Sequence, residues 1–137
     1  MTCSKKNCLI TTGAVFFTVV VSDFLIHQVF LKSMYAASPN LWRPEAELQS
    51  HMPYMFLGQL AVAVFLSWIF VHGYKGKGIM EGIRFGFLIG GLEAGKNLIM
   101  YTVAPYPCAL AASWIVAGFA QAILVGIVAS LVYKPAA

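Results

Sequence analysis

Residues 79–101 read IMEGIRFGFLIGGLEAGKNLIMY. The stretch is long and apolar enough to cross the roughly 30 Å hydrocarbon core of a bilayer as a helix. Small residues recur in it at every fourth position, at Gly82, Gly86, Gly90 and Ala94. On a helix they form one flat, slowly drifting stripe that lets another backbone approach closely, which is how membrane helices gain van der Waals contact. Gly91 and Gly95 add a second small pair. Glu93, Lys96 and Asn97 interrupt the apolar run. At about 100° per residue, Glu93 and Asn97 fall inside the sector of the small-residue stripe, with Lys96 beside it. A charge facing lipid near the bilayer centre costs about 3 kcal/mol or more. The packed face of this helix is therefore expected to be its polar face, turned toward other helices.

Working outward, apolar stretches at about 9–31, 52–72 and 108–133 join the one at 79–103. Only 10% of the residues are charged, against about 25% in a soluble domain, too few to hide four such helices from water. The expectation is an all-α integral membrane protein, one domain over residues 1–137. Its connections GYKGKG (73–78) and VAPYPCA (103–109) are short, which implies antiparallel neighbours in an up-down-up-down four-helix bundle. Pro105 and Pro107 stop the third helix and start the fourth. The loop 32–51 is longer and punctuated by Pro39 and Pro44. Within it, Glu45 to His51 can form one or two helical turns with Pro44 at the first helical position. Tyr35 and Trp42 suit the interfacial aromatic belt.

Positive charges set the orientation. Lys5, Lys6, Lys75, Lys77, Arg84 and Lys134 gather on one side, while Lys32 and Arg43 on the other are offset by Glu45 and Glu47. Both termini are therefore expected in the cytoplasm, with the 32–51 loop outside. The same bias accounts for the net charge of +4, which gives no ground for a nucleic-acid partner. The first apolar stretch is too long for a signal peptide, carries Asp23 and His27, and is followed by no small-residue cleavage site, so it reads as a retained helix. Cys3 and Cys8 read as incidental thiols near a helix start. With Cys108 alone at the opposite face, they make neither a disulfide framework nor a metal site.

With this threading the first and third helices both run outward. Asp23 and Glu93 then lie slightly outside the midplane. His27, four residues after Asp23, shares its face about 6 Å further out. Lys96 and Asn97 lie beyond Glu93, and Gln59 and Gln121 sit at similar or somewhat deeper levels. Each helix thus offers a polar group to one central region, and Asp23, His27, Gln59, Glu93, Lys96, Asn97 and Gln121 are the candidate ligand- or proton-binding residues. Two readings stand side by side. In one, Lys96 neutralises Asp23 or Glu93, and the remaining carboxylate is protonated or paired with His27, in a network that fixes helix register. In the other, an externally open cavity binds a small polar or amphipathic ligand or moves protons.

Familiar chemistries find no support. His27, His51 and His72 match no pair at one depth, as a b-type haem needs. Asp23, His27 and Glu93 are plausible metal-ligand types, but Lys96 beside them opposes a cation. Ser22, Ser67 and Ser113 have no evident base. The lysine spacing in GYKGKG does not fit a phosphate-binding loop. No cofactor or metal is expected. Arg84 and Glu81 are expected to pair locally at the helix start, and Trp68, Trp114 and the phenylalanines to pack or face lipid.

DFLIHQVFLKSMY (23–35), LWRPEAEL (41–48) and GYKGKGIMEGIRFGFLIG (73–90) resemble a group of small bacterial inner-membrane proteins of unknown function. The group shares four helices and a Trp-bearing external loop after the first. The resemblance runs from about Asp23 to Tyr133. It implies a multi-pass protein of the bacterial cytoplasmic membrane and carries over no catalytic residue. The functional expectation is a non-enzymatic membrane protein that self-associates or serves as an accessory subunit of a larger membrane complex, with the bilayer as its first partner. The alternatives are a ligand-binding or proton-coupled transport protein built on the polar cluster, and a membrane enzyme using His27 and Glu93 on a lipid or quinone-like substrate.

Overall fold

The computed structural model describes residues 5–135; Cys3 lies outside them. Among the described residues the chain is helical throughout, with no strand. Helix α1 (Lys5–Phe24) runs into a π-helical turn, Leu25–Phe30. Then follow α2 (Lys32–Ala36), a 3₁₀ turn (Pro39–Leu41), α3 (Glu45–Gly73), α4 (Ile79–Val103) and α5 (Cys108–Val132). The segments Lys5–Phe30, Glu45–Gly73 and Cys108–Val132 are long and apolar enough to cross a membrane. α4 matches α5 in length at 25 residues, but Glu81, Arg84, Glu93, Lys96 and Asn97 dilute its hydropathy. The long helices expose large apolar side chains such as Phe17, Leu57, Leu88 and Val116, a surface suited to hydrocarbon rather than water. These features make the chain a helical membrane protein.

Several boundaries differ from those expected. α1 already includes Lys5, and the second long helix starts at Glu45, with Pro44 as its N-cap rather than its first helical residue. Pro53 lies inside α3. A proline there forfeits one backbone hydrogen bond, to the Gln49 carbonyl. Glu45 and Glu47 in the first turn complement the helix dipole. At the end of α1, the Leu31 amide donates to the Ile26 carbonyl at 2.8 Å. This wide turn begins two residues after Asp23 and contains His27; such turns recur at functional sites.

The connection between α3 and α4 turns through Gly76 and Gly78, at φ 75° and 64°, the left-handed region that favours glycine. Glu81 does not pair with Arg84 as expected. Its carboxylate accepts from the Lys75 and Lys77 amides at 2.5 and 2.8 Å, because unpaired N–H groups before a helix start are nearer than a mobile guanidinium. Cys8 is disulfide-bonded rather than an incidental thiol, and Cys108 is a free, exposed thiol.

α4 packs chiefly on α5, and α1 packs on both α3 and α5. The glycine stripe makes the first contact. A Cβ added at Gly82 would run into the Gly126 carbonyl oxygen. At Gly86 it would stand 2.5 Å from Ile123 Cα, and at Gly90 2.5 Å from Phe119 Cδ1. The stripe's partner is thus α5 of the same chain. Ala94 is half-buried, whereas Gly91 and Gly95 meet only open space. α3 and α4, consecutive in sequence, barely touch. They meet next to their connection, where Phe70 stacks edge-on to Phe85 with centroids 5.3 Å apart. The dry core is at this end, with Val15, Val19, Ala63, Phe70, Val71, Val125, Ala129 and Tyr133 packed together. Asn7 and Lys134 come together here as well, the Asn7 amide donating to the Lys134 carbonyl. Beyond the core, α3 and α4 part around a cavity.

Gly86→Ala should destabilise by about 1–3 kcal/mol, because backbone rather than a flexible side chain opposes the new methyl group. Gly91→Ala, facing open space, should be neutral or stabilising by up to about 1 kcal/mol through helix propensity. Thermal denaturation of both variants in mild detergent checks the contrast.

Candidate functional site

The cavity has a volume of about 570 Å³ and is lined from α1, its π turn, α3, α4 and α5. Asp23 and His27 line it from the first segment and Gln59 from α3. Glu93, Lys96 and Asn97 line it from α4, and Gln121 from α5. All seven candidate ligand- or proton-binding residues therefore border the same space. Between them the walls are apolar, with Val19, Ile26, Val62, Leu66, Ile89 and Val125. Val19 and Val125 also belong to the dry core, so the core is the floor of the cavity.

Asp23 is the centre of the hydrogen bonding. Gln59 Nε2 donates to its Oδ2 at 2.7 Å, and Gln121 Nε2 donates to its Oδ1 at 2.7 Å. Gln121 Nε2 also reaches Ser22 Oγ at 2.9 Å. Two amides from two helices thus hold both carboxylate oxygens and pin α1 to α3 and α5. Lys96 does not serve Asp23. Its ammonium lies 3.0 Å from Glu93 Oε1 and 3.1 Å from Oε2, three residues back on the same helix. The two expected carboxylates are therefore served separately, Asp23 by amides and Glu93 by an ammonium. The Glu93 and Lys96 side chains are 47% and 69% exposed, which places the pair at the mouth of the cavity where α3 and α4 part.

Carboxylate oxygens only accept, so the Gln59 amide must turn its NH₂ group toward Asp23. Its Oε1 is then left over, and that atom is buried without a hydrogen-bond partner. Gln59 is 8% exposed. A buried acceptor with no donor is uncommon and costs free energy.

Beyond the cavity's other end the 32–51 connection folds back as an aromatic cluster. Trp42 stacks on Tyr106 at 6.0 Å and meets Tyr35 edge-on at 5.0 Å, and Tyr106 meets Trp114 edge-on at 4.9 Å. Trp114 borders the cavity itself. Its indole N–H donates to Tyr35 Oη at 2.8 Å, and Tyr35 Oη lies 2.5 Å from His27 Nδ1. An indole can only donate, so the phenol accepts from Trp114, while the direction of its bond to Nδ1 is set by the histidine tautomer. Burial pushes the Tyr35 phenol above its ordinary value of 10.0; the Trp114 hydrogen bond opposes this and the Asp23 charge adds to it. Sequence reasoning placed Tyr35 and Trp42 in an interfacial belt and Trp114 against lipid or packing. It missed this cluster because aromatic residues near a membrane surface carry no signal of which neighbours they meet.

Among the described residues, no three histidine, cysteine, aspartate or glutamate side chains are grouped to hold a metal ion. Comparison of the chain with family models, curated proteins and solved structures finds no match. The functional reading accordingly rests on this geometry.

Asp23→Asn and Lys96→Met should combine additively, within about 0.5 kcal/mol, since the two residues share no contact. Asp23→Asn and Gln121→Leu should couple by more than about 0.5 kcal/mol. Thermal denaturation of the two double-mutant cycles separates these cases. The Tyr35 phenol is protonated in both folded and unfolded chains well below pH 10. Above it the unfolded chain ionises first, so stability should fall as pH rises from about 10 toward the higher folded value. An alkaline melting series should show a shallower decline for Tyr35→Phe.

Proposed function

We propose that the chain is a multi-pass protein of the bacterial cytoplasmic membrane, with four spans in up-down-up-down order and both termini in the cytoplasm. Its outer half would bind a small amphipathic ligand. The clustering of Lys5, Lys6, Lys75, Lys77 and Lys134 toward the end that holds the dry core supports that orientation. So does the resemblance to small bacterial inner-membrane proteins. α4 counts as the fourth span because the polar residues in its second half, Glu93, Lys96 and Asn97, border the cavity.

The observation that carries the ligand reading is the convergence of seven polar side chains from four helical segments on one cavity, where a buried acceptor lacks a partner. Register alone does not call for a cavity: the Asp23 clamp already pins the helices, and a filled interior would pack better. The small-residue stripe is taken up by α5 and so gives no separate support to self-association. A second reading keeps the protein as a self-associating or accessory subunit. It is favoured by the exposed Glu93–Lys96 pair, whose charges a bilayer would penalise unless something polar covers them. No catalytic step is assigned.

Gly118 lines the cavity, and a Cβ there would meet nothing within 4 Å. Gly118→Phe should therefore fill the cavity without opening the α4–α5 contact. In a Trp42→Phe, Trp68→Phe background, a bromine-bearing alkyl detergent should quench Trp114, and Gly118→Phe should remove most of that quenching while leaving the melting temperature unchanged or raised. Equal quenching with and without the substitution would overturn the ligand reading. A dimer in mild detergent that Lys96→Met weakens would favour the subunit reading.

A further inference from the structure

We infer that the cavity is a sideways entry site for the headgroup of a membrane lipid that presents hydrogen-bond donors, an ammonium or hydroxyls. This rests on the ligand-binding reading above. The deep wall is rich in acceptors. The Gln59 NH₂ group is committed to Asp23, so its Oε1 is fixed as the unpartnered atom of a side chain 8% exposed. Beside it stands the Asp23 carboxylate, and a carboxylate has more lone pairs than the two amides occupy. The charged groups facing the cavity are Asp23, Glu93 and Lys96. Glu93 and Lys96 neutralise each other, which leaves Asp23 as the net charge. A head that donates hydrogen bonds complements this wall; one without a donor does not, whatever its charge.

The route of entry follows from the packing. At the loop end, the rings of Tyr35, Trp42, Tyr106 and Trp114 stand 4.9 to 6.4 Å from one another. Rings that close contact each other rather than framing a space, so they do not cage a cation. At the opposite end lies the dry core. The remaining side is the gap between α3 and α4, edged by Met55 and Val62, which both line the cavity and are exposed. In a bilayer that edge faces hydrocarbon. A molecule arriving there keeps its chains in the membrane and extends its head past the Glu93–Lys96 pair toward Gln59. Val62, Leu66 and Ile89 then meet the apolar part next to the head. A water-soluble amine or polyol shares the head chemistry but has no hydrocarbon to favour this route.

The test uses the full chain in nanodiscs with a neutral matrix, doped in turn with phosphatidylethanolamine, phosphatidylglycerol or additional phosphatidylcholine. Retained lipid is counted by native mass spectrometry after release into detergent. Phosphatidylethanolamine offers an ammonium and phosphatidylglycerol two hydroxyls, whereas the choline head has no donor. The first two should be retained about tenfold over phosphatidylcholine, the scale of one hydrogen bond to an otherwise unpaired buried group. Gln59→Leu should erase the preference. Val62→Trp, on the exposed edge and without a hydrogen-bonding role, should reduce retention of all lipids at unchanged helicity, which guards against misfolding of the first variant. Equal retention of the three lipids would overturn donor recognition while leaving a ligand site in place. Protection against melting by free ethanolamine, with no lipid retained, would overturn the lipid source but not the ligand reading. If neither lipid nor ethanolamine is bound and Gly118→Phe also has no effect on Trp114 quenching, this inference and the proposed function both fail.

Discussion

The close approach of α4 to α5 constrains everything above it. Gly82, Gly86 and Gly90 bring the α4 backbone against Gly126, Ala122 and Phe119, and no larger residue fits where the neighbour is backbone. One face of α4 is thereby fixed toward α5. Glu93 and Asn97 project from nearly the same sector, a turn or two further along. Once the stripe ends, that face no longer meets close-packed backbone, and its polar side chains border open space. The sequence joins packing and polarity on one face, so tight contact in one half of the helix obliges a cavity or a polar partner in the other half. The same commitment draws α4 away from α3, and the gap between these consecutive helices is its consequence.

Asp23 solves a separate problem. A carboxylate in an apolar helix must be served by donors from elsewhere. Gln59 and Gln121 do this from α3 and α5, so the residue that is costly in isolation becomes the tie among three helices. Two amides are a softer solution than an ammonium. They neutralise no charge, and each glutamine keeps a carbonyl that needs its own donor. That remainder is what leaves Gln59 Oε1 without a partner. Had Lys96 reached Asp23, the charge would have been neutralised in place and both glutamines would have been free. Its stem instead turns back to Glu93 on its own helix, where three-residue spacing already brings the pair together.

The convergence of the polar residues and the face of α4 were legible from composition and spacing. Those arguments suffice to bring Asp23, His27, Gln59, Glu93, Lys96, Asn97 and Gln121 to one cavity. They rest on rise per residue and angle per residue, which local sequence fixes. What was not legible depends on how helices lean. The sequence leaves open whether Lys96 serves Asp23 or Glu93, because that turns on the distance between α4 and α1, which both pack on α5 but hardly on each other. It does not signal the π turn at Leu25–Phe30, since one extra residue in a turn leaves the apolar pattern unchanged. The start of α3 was placed too late because the apolar run begins only at Met52, whereas the helix also takes in the polar turns from Glu45 and tolerates the hydrogen bond lost at Pro53. Glu81 illustrates a third limit: charge pairing at three residues was the simpler expectation, but the unpaired amides of the preceding turn are nearer.

The molecule divides its two halves between opposite demands. Around Phe70, Phe85, Tyr74 and Tyr133 the aromatic rings interlock at 4.9 to 6.5 Å, with Val15 and Ala63 wholly buried beneath them. Dispersion contacts are densest there and hold the helices together without polar help. Past Val19 and Val125 the same helices part around the cavity, and the contacts that remain are directional: the Asp23 clamp, the Glu93–Lys96 pair and the Trp114–Tyr35–His27 cluster. Empty space forfeits dispersion on every wall that lines it, so a chain selected only for a stable bundle would fill it. Small residues at Gly58, Ala117 and Gly118 keep it open, although Gly58 and Gly118 have room for a side chain. A rigid half that anchors and an open half lined with acceptors is the arrangement expected where stability has been given up for occupancy.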